Sequence, residues 1–115
     1  MGFKIKINNE TSFEDIRNYL EDLKKANTTS IQLNQIRKII KFLDIEEIPG
    51  KSSSIRFYCD CLLTHPYHKG YFQVHKLHKG GSKEEIRKSD FARYLYPVLV
   101  IIVKLKIENR DNHVK

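Results

Sequence analysis

From its first residues the chain alternates apolar and polar positions. Phe3, Ile5 and Ile7 are separated by Lys4 and Lys6, the two-residue period of a half-buried strand. The period then lengthens. "TSFEDIRNYLEDLKK" opens on Ser12 as a helix cap and carries acids in its first turn. It sets Phe13, Ile16, Leu20 and Leu23 on one face and closes on Lys24 and Lys25, where cations suit the helix dipole. "NTTS" interrupts the pattern. A second stripe of Leu33, Ile36, Ile39, Ile40 and Leu43 predicts another helix, so that two helices fill residues 12–43.

From Asp44 the period returns to two. "DIEEIPG" reads as a short strand running into a turn. "SIRFYCDCLL" places Ile55, Phe57, Cys59 and Cys61 inward and Arg56, Tyr58 and Asp60 outward. "THPYHKG" bends around Pro66 and Gly70, and "YFQVHKL" gives a third strand with Phe72 and Val74 inward. A C-terminal helix is expected to begin within residues 83–90, started either by a Ser82–Glu85 capping box or by Ser89. Pro97 has to kink that helix or open a new one. "VLVIIVKLKI" suits a buried helix or a strand, and its helical flanks favour the helix; "ENRDNHVK" reads as a frayed polar tail. The expected fold is α+β, a three-stranded antiparallel sheet packed on helices in the order α-β-β-β-α. Residues 1–30 form an N-terminal strand and helix extension, residues 31–107 the main domain and residues 108–115 the tail.

A length of 115 residues with 40% hydrophobic and 30% charged side chains accommodates one domain with one modest core. The apolar run from Val98 to Val103 is far too short to cross a bilayer. Met1 is followed by a strand pattern rather than a basic stretch and an apolar run, so a cytoplasmic chain is expected, and the "NET" and "NTT" sequons carry little weight. Cys59 and Cys61, two positions apart, are poorly spaced for a stabilising disulfide and read as core residues.

Charge changes the picture more than composition does. The formal net charge is +7, and it is uneven. Residues 1–50 hold eight basic and eight acidic side chains, whereas residues 51–115 hold thirteen and six. A neutral half joined to a basic half points to an acidic partner, nucleic acid before protein, against the plainer reading of a solvated surface. Lys51, Arg56, Lys69, Lys76, Lys79, Lys83, Arg87 and Lys88 all fall in the sheet-and-loop half, interleaved with Tyr58, Tyr67 and Tyr71. Cations for phosphates and rings for bases form a plausible RNA surface.

"HPYHKGYFQVHKLHKGG" holds four of the five histidines, as the pairs His65–His68 and His75–His78. Imidazole suits metal ligation, acid–base catalysis, RNA contact or mere surface polarity. A zinc site is the weaker reading: H-x-x-H on a strand splits its histidines between faces, and C-x-C aims its sulfurs at the core. No cofactor is expected. The serine run "SSS" lacks the G-x-S-x-G setting of a hydrolase nucleophile and reads as a flexible turn.

The layout "QIRKIIKFLDIEEIPGKSSSIRF … GYFQVHKLHKGGSKEEIRKSDFARYL" resembles the HicA toxins, small ribonucleases paired with HicB antitoxins. Their pattern is an amphipathic helix, a G-S-H turn entering a strand, a hairpin, a P-x-H-G-K end to the third strand and a final helix. The resemblance covers roughly residues 31–97. It implies a fold like the double-stranded-RNA-binding domain, metal-free cleavage of mRNA and a HicB-like antitoxin as partner. His78 matches the family's second histidine and is the expected base. Ser54 stands where the family has its catalytic histidine, and serine cannot do acid–base work near neutral pH. His75 or His68 would then stand in. Lys51, Ser54, Arg56, Lys69, Lys76, Lys79 and Lys83 are the expected RNA contacts.

Overall fold

A computed structural model describes residues 6–48, 53–65, 69–77 and 84–113 of the chain. Helix α1 (Phe13–Lys25) starts where the capping pattern places it. Ser12 Oγ accepts from the Asp15 N–H, and the Asp15 carboxylate accepts from the Ser12 N–H. Such a cap is worth about 1 kcal/mol. Its Ile16, Leu20 and Leu23 are buried. Helix α2 (Leu33–Phe42) buries Leu33, Ile36, Ile39 and Ile40. Asp44, at φ 58°, then turns the chain through a left-handed conformation that short polar side chains tolerate. Its neighbour's N–H, on Ile45, closes back on the Ile40 carbonyl.

Three antiparallel strands follow in the spatial order β2-β3-β4: β2 (Glu46–Ile48), β3 (Ser54–Tyr58) and β4 (Tyr71–His75). The expected α+β architecture is therefore present, with helices before and after this sheet. The register pairs Ile55 with Val74 and Phe57 with Phe72 on the inner face, where the two phenyl rings stack at 5.1 Å. On the outer face it pairs Ser54 with His75, Arg56 with Gln73 and Tyr58 with Tyr71. The inner residues join the side chains of α1, α2 and the C-terminal helix in one buried cluster.

Several local expectations are corrected. Strand β3 stops at Tyr58, and a 3₁₀ turn (Asp60–Leu62) follows it. Cys59 is consequently buried, but Cys61 is only half-buried and Leu62 takes the core position beyond it. A second sheet pairs β1 (Ser30–Gln32) with β5 (Glu85–Arg87), antiparallel. Three residues are too few to show an alternation, and the sequence marks only the interruption at "NTTS". Glu85 belongs to that strand and accepts from the Ser30 hydroxyl at 3.0 Å, so it does not cap a helix. The first C-terminal turn, α3 (Lys88–Asp90), begins before Ser89 and has no side-chain cap. Of the N-terminal alternation, residues 3–5 lie outside the described residues, and Lys6 and Ile7 are in no strand.

Pro97 lies in the first turn of the last helix, as expected of a proline that opens one. A π turn (Phe91–Leu95) runs from α3 directly into α4 (Tyr96–His113), and the Tyr96 N–H reaches back to the Phe91 carbonyl. A wide turn placed just before proline relieves the clash of its ring with the preceding turn and absorbs its missing N–H. Val98, Leu99, Ile102 and Val103 are buried, while Val100, Ile101, Leu105 and Ile107 are partly buried around the rest of the helix. Both α1 and the 3₁₀ turn pack against α4, which accounts for an apolar run spread round its circumference. Residues 108–113, expected as tail, continue this helix. Arg110 forms a two-pronged hydrogen bond with Glu14 of α1 and holds that carboxyl at about 2, well below its ordinary range.

The register makes the two faces of one hairpin energetically unequal. Phe57→Ala should cost roughly 3–5 kcal/mol in urea unfolding, whereas Gln73→Ala should change stability by no more than about 0.5 kcal/mol.

Candidate nucleic-acid interface on the open sheet face

Alternation along β3 and β4 brings Ser54, Arg56, Tyr58, Tyr71, Gln73 and His75 to the face of the sheet turned away from the core. Arg56, Tyr71, Gln73 and His75 are exposed, and Ser54 and Tyr58 are half-buried. From β2, Glu46 stands opposite Tyr58 and Ile48 opposite Arg56. A shallow depression of about 320 Å³ lies among Arg56, Tyr71, Phe72 and Gln73.

At one end of this face Ser54 Oγ and His75 Nδ1 share a hydrogen bond of 2.9 Å. The position at which the resemblance calls for an imidazole therefore carries a hydroxyl that touches an imidazole from the neighbouring strand. With Nδ1 engaged by serine, Nε2 is the ring nitrogen turned to other partners.

At the other end Tyr58 and Tyr71 face each other with ring centroids 5.0 Å apart and planes tilted by 56°. The turn before β4 makes room for them. Gly70 sits at φ +100°, and a Cβ there would come within 2.8 Å of Tyr58 Cε1. Only glycine both adopts that backbone conformation readily and lets the ring lie against the turn. The Gly70 carbonyl accepts from the Cys59 N–H at 2.8 Å, extending the ladder one step past the tyrosines. Arg56 stands between the two ends, its guanidinium 6.0 Å from the Tyr71 centroid. Lys69, exposed at φ 50°, occupies the turn beside Gly70.

Other expected contacts lie elsewhere. Lys76 is not on this face: its Nζ is bonded to Glu84 at 2.9 Å. Glu84 also accepts from Arg37 at 2.8 Å, and Arg37 in turn binds Glu47 of β2 through two nitrogens. Two cations facing two carboxylates make a locally neutral network, and the two cations hold the Glu84 carboxyl below its usual range. Lys88 is turned to the Ala26 carbonyl at the end of α1, which makes it a helix-end donor. His78, Lys51, Lys79 and Lys83 lie outside the described residues, as do His68 and Tyr67. Gln73 is the residue the sequence reading missed, although the alternation of "YFQVH" already set it beside Tyr71 and His75.

Among the described residues the cysteines form no metal site with the histidines. Cys59 and Cys61 Sγ atoms approach each other at 2.8 Å, and burial, followed by the Cys59 thiol alongside, pushes the Cys61 thiol up to about 12. A thiol held protonated in this way is a poor nucleophile. Among the described residues no three His, Cys, Asp or Glu side chains converge as a metal site, and no helix is long and apolar enough to cross a membrane.

Gly70→Ala should destabilise the fold by roughly 1–3 kcal/mol and alter the near-ultraviolet circular dichroism as Tyr58 is displaced. Unchanged stability and spectrum would mean that the turn does not position the ring. No family model matches the sequence, and comparison with curated proteins and with solved structures gives no significant match.

Proposed function

We propose that this chain is an RNA-binding protein of the HicA toxin type that cleaves bound RNA without a metal, using His75 for the proton transfer. One observation supports this reading above the others. Ser54, at the position of the resemblance's catalytic histidine, is hydrogen-bonded across the strand pair to His75, so an imidazole is present in the same patch on an open face. Donation from Nδ1–H to the serine oxygen leaves the Nε2 lone pair free, and Nε2 takes the proton of a ribose 2′-hydroxyl. The 2′-oxygen bonds to phosphorus and the bond from phosphorus to the 5′-oxygen breaks. A general acid, for which His78 is the candidate, protonates the leaving oxygen. The products are a 2′,3′-cyclic phosphate and a 5′-hydroxyl. Arg56, on the same face, stabilises the charge that accumulates on the phosphoryl oxygens.

Lys69 and the cations at Lys51, Lys79 and Lys83 supply phosphate contacts in this reading. The setting is the cytoplasm, and a HicB-like antitoxin would hold the toxin in check. A binding module that does not cleave is the second reading, favoured by the serine at position 54.

Incubation of the chain with RNA in excess chelator tests both. The first reading predicts fragments ending in cyclic phosphate, a rate lowered about 100-fold or more by His75→Ala, and no cleavage at a 2′-deoxy position. RNA that is bound but stays intact in every sample would remove the catalytic reading and leave the binding module.

A further inference from the structure

We infer that the open sheet face takes single-stranded rather than duplex RNA, with one base stacked on the ring of Tyr71 and its edge read by Gln73. The inference rests on the RNA-binding reading and narrows it to a substrate class.

Tyr71 is 51% exposed, whereas the ring of the next residue, Phe72, is buried. Its ring is not loose. Tyr58 supports it from the facing strand at 5.0 Å, and Tyr58 is itself lodged against Gly70. An exposed aromatic braced by a tilted neighbouring ring, with the Arg56 guanidinium 6.0 Å from its centroid, can stack on a flat partner at little cost in side-chain freedom. The depression beside it, about 320 Å³ between Arg56, Phe72 and Gln73, has room for a nucleobase but is at the low end of ligand sites, roughly 300–1,000 Å³. The Gln73 amide offers a donor and an acceptor, which complement the edge of a base. In a duplex that edge is paired and the ring faces are stacked away, so neither Tyr71 nor Gln73 could reach its target.

Spacing points the same way. Tyr71, Gln73 and His75 project from one strand about 7 Å apart, which suits one nucleotide of an extended chain per outward residue. A strand laid along β4 with a base on Tyr71 carries its backbone past Arg56 toward His75. Electrostatics disfavour the alternative. Duplex binders neutralise many phosphates, whereas Lys76 is matched by Glu84 and Glu46 stands on the outer face itself.

The test compares fluorescence anisotropy of the full chain with a labelled single strand of about 12 nucleotides and with the same sequence annealed to its complement, at low salt. His75→Ala serves as the background so that the probe is not consumed. The single strand should bind at least about 10-fold more tightly than the duplex. Tyr71→Ala should weaken single-strand binding by roughly 5- to 100-fold, and Tyr71→Phe, which keeps the ring, should restore most of the loss. Circular dichroism melts of both variants check that they remain folded. A duplex bound as tightly as the strand, or single-strand affinity unmoved by Tyr71→Ala, would overturn this inference while RNA binding stands. Failure of both probes to bind would overturn the RNA reading itself.

Discussion

The pairing of β3 with β4 is the constraint on which everything else depends. With Phe57 opposite Phe72 and Ile55 opposite Val74, the apolar side chains of both strands are fixed on one face. Because side chains alternate strictly, the same register assigns Ser54, Arg56, Tyr58, Tyr71, Gln73 and His75 to the other. A slip of one residue would drive arginine and glutamine into the core and expose two phenylalanines. The energy of core burial, about 2 kcal/mol for a ring such as Phe57, therefore also fixes the geometry of the polar face. The Ser54–His75 contact and the tyrosine pair are two ends of one ladder.

Charge is arranged differently from what the basic composition suggests. Arg37 and Lys76 are absorbed by Glu47 and Glu84, and this network ties α2, β2 and the segment before β5 together. These pairs are partly exposed, so each contributes at most about 1 kcal/mol. Among the described residues of β3 and β4, the outer face carries one guanidinium, Arg56, among aromatic, amide and imidazole groups, with Glu46 beside them on β2. Groups of this kind bind chiefly by stacking and hydrogen bonding at short range.

Much of this was legible in the sequence where a period was long enough to read. The stripes from Phe13 to Leu23 and from Leu33 to Leu43 gave both early helices, and the alternations in "SIRFY" and "YFQVH" gave the inward and outward sides of the hairpin. Short elements were lost because three residues carry no period: β1 and β5 pair only through tertiary contact. The C-x-C alternation misled for the opposite reason, since Asp60–Leu62 turns the chain just where the pattern would have continued the strand. Pro97 marked the start of the last helix, but the π turn that runs into it has no local sequence mark. Lys76 and Lys88 looked like free cations, and only the fold supplied Glu84 and the Ala26 carbonyl as their partners. The contact between Ser54 and His75 depends on register across a twelve-residue connection and could not be read from either strand alone.

Whether the face opposite the core meets RNA is decided by an amide NMR titration of the His75→Ala chain with a single-stranded RNA. Contact there gives the largest shift changes at Arg56, Tyr58, Tyr71 and Gln73, with Ile16, Leu20 and the rest of α1 undisturbed. Changes centred on α1 or α2, with the outward residues of β3 and β4 silent, would rule that face out.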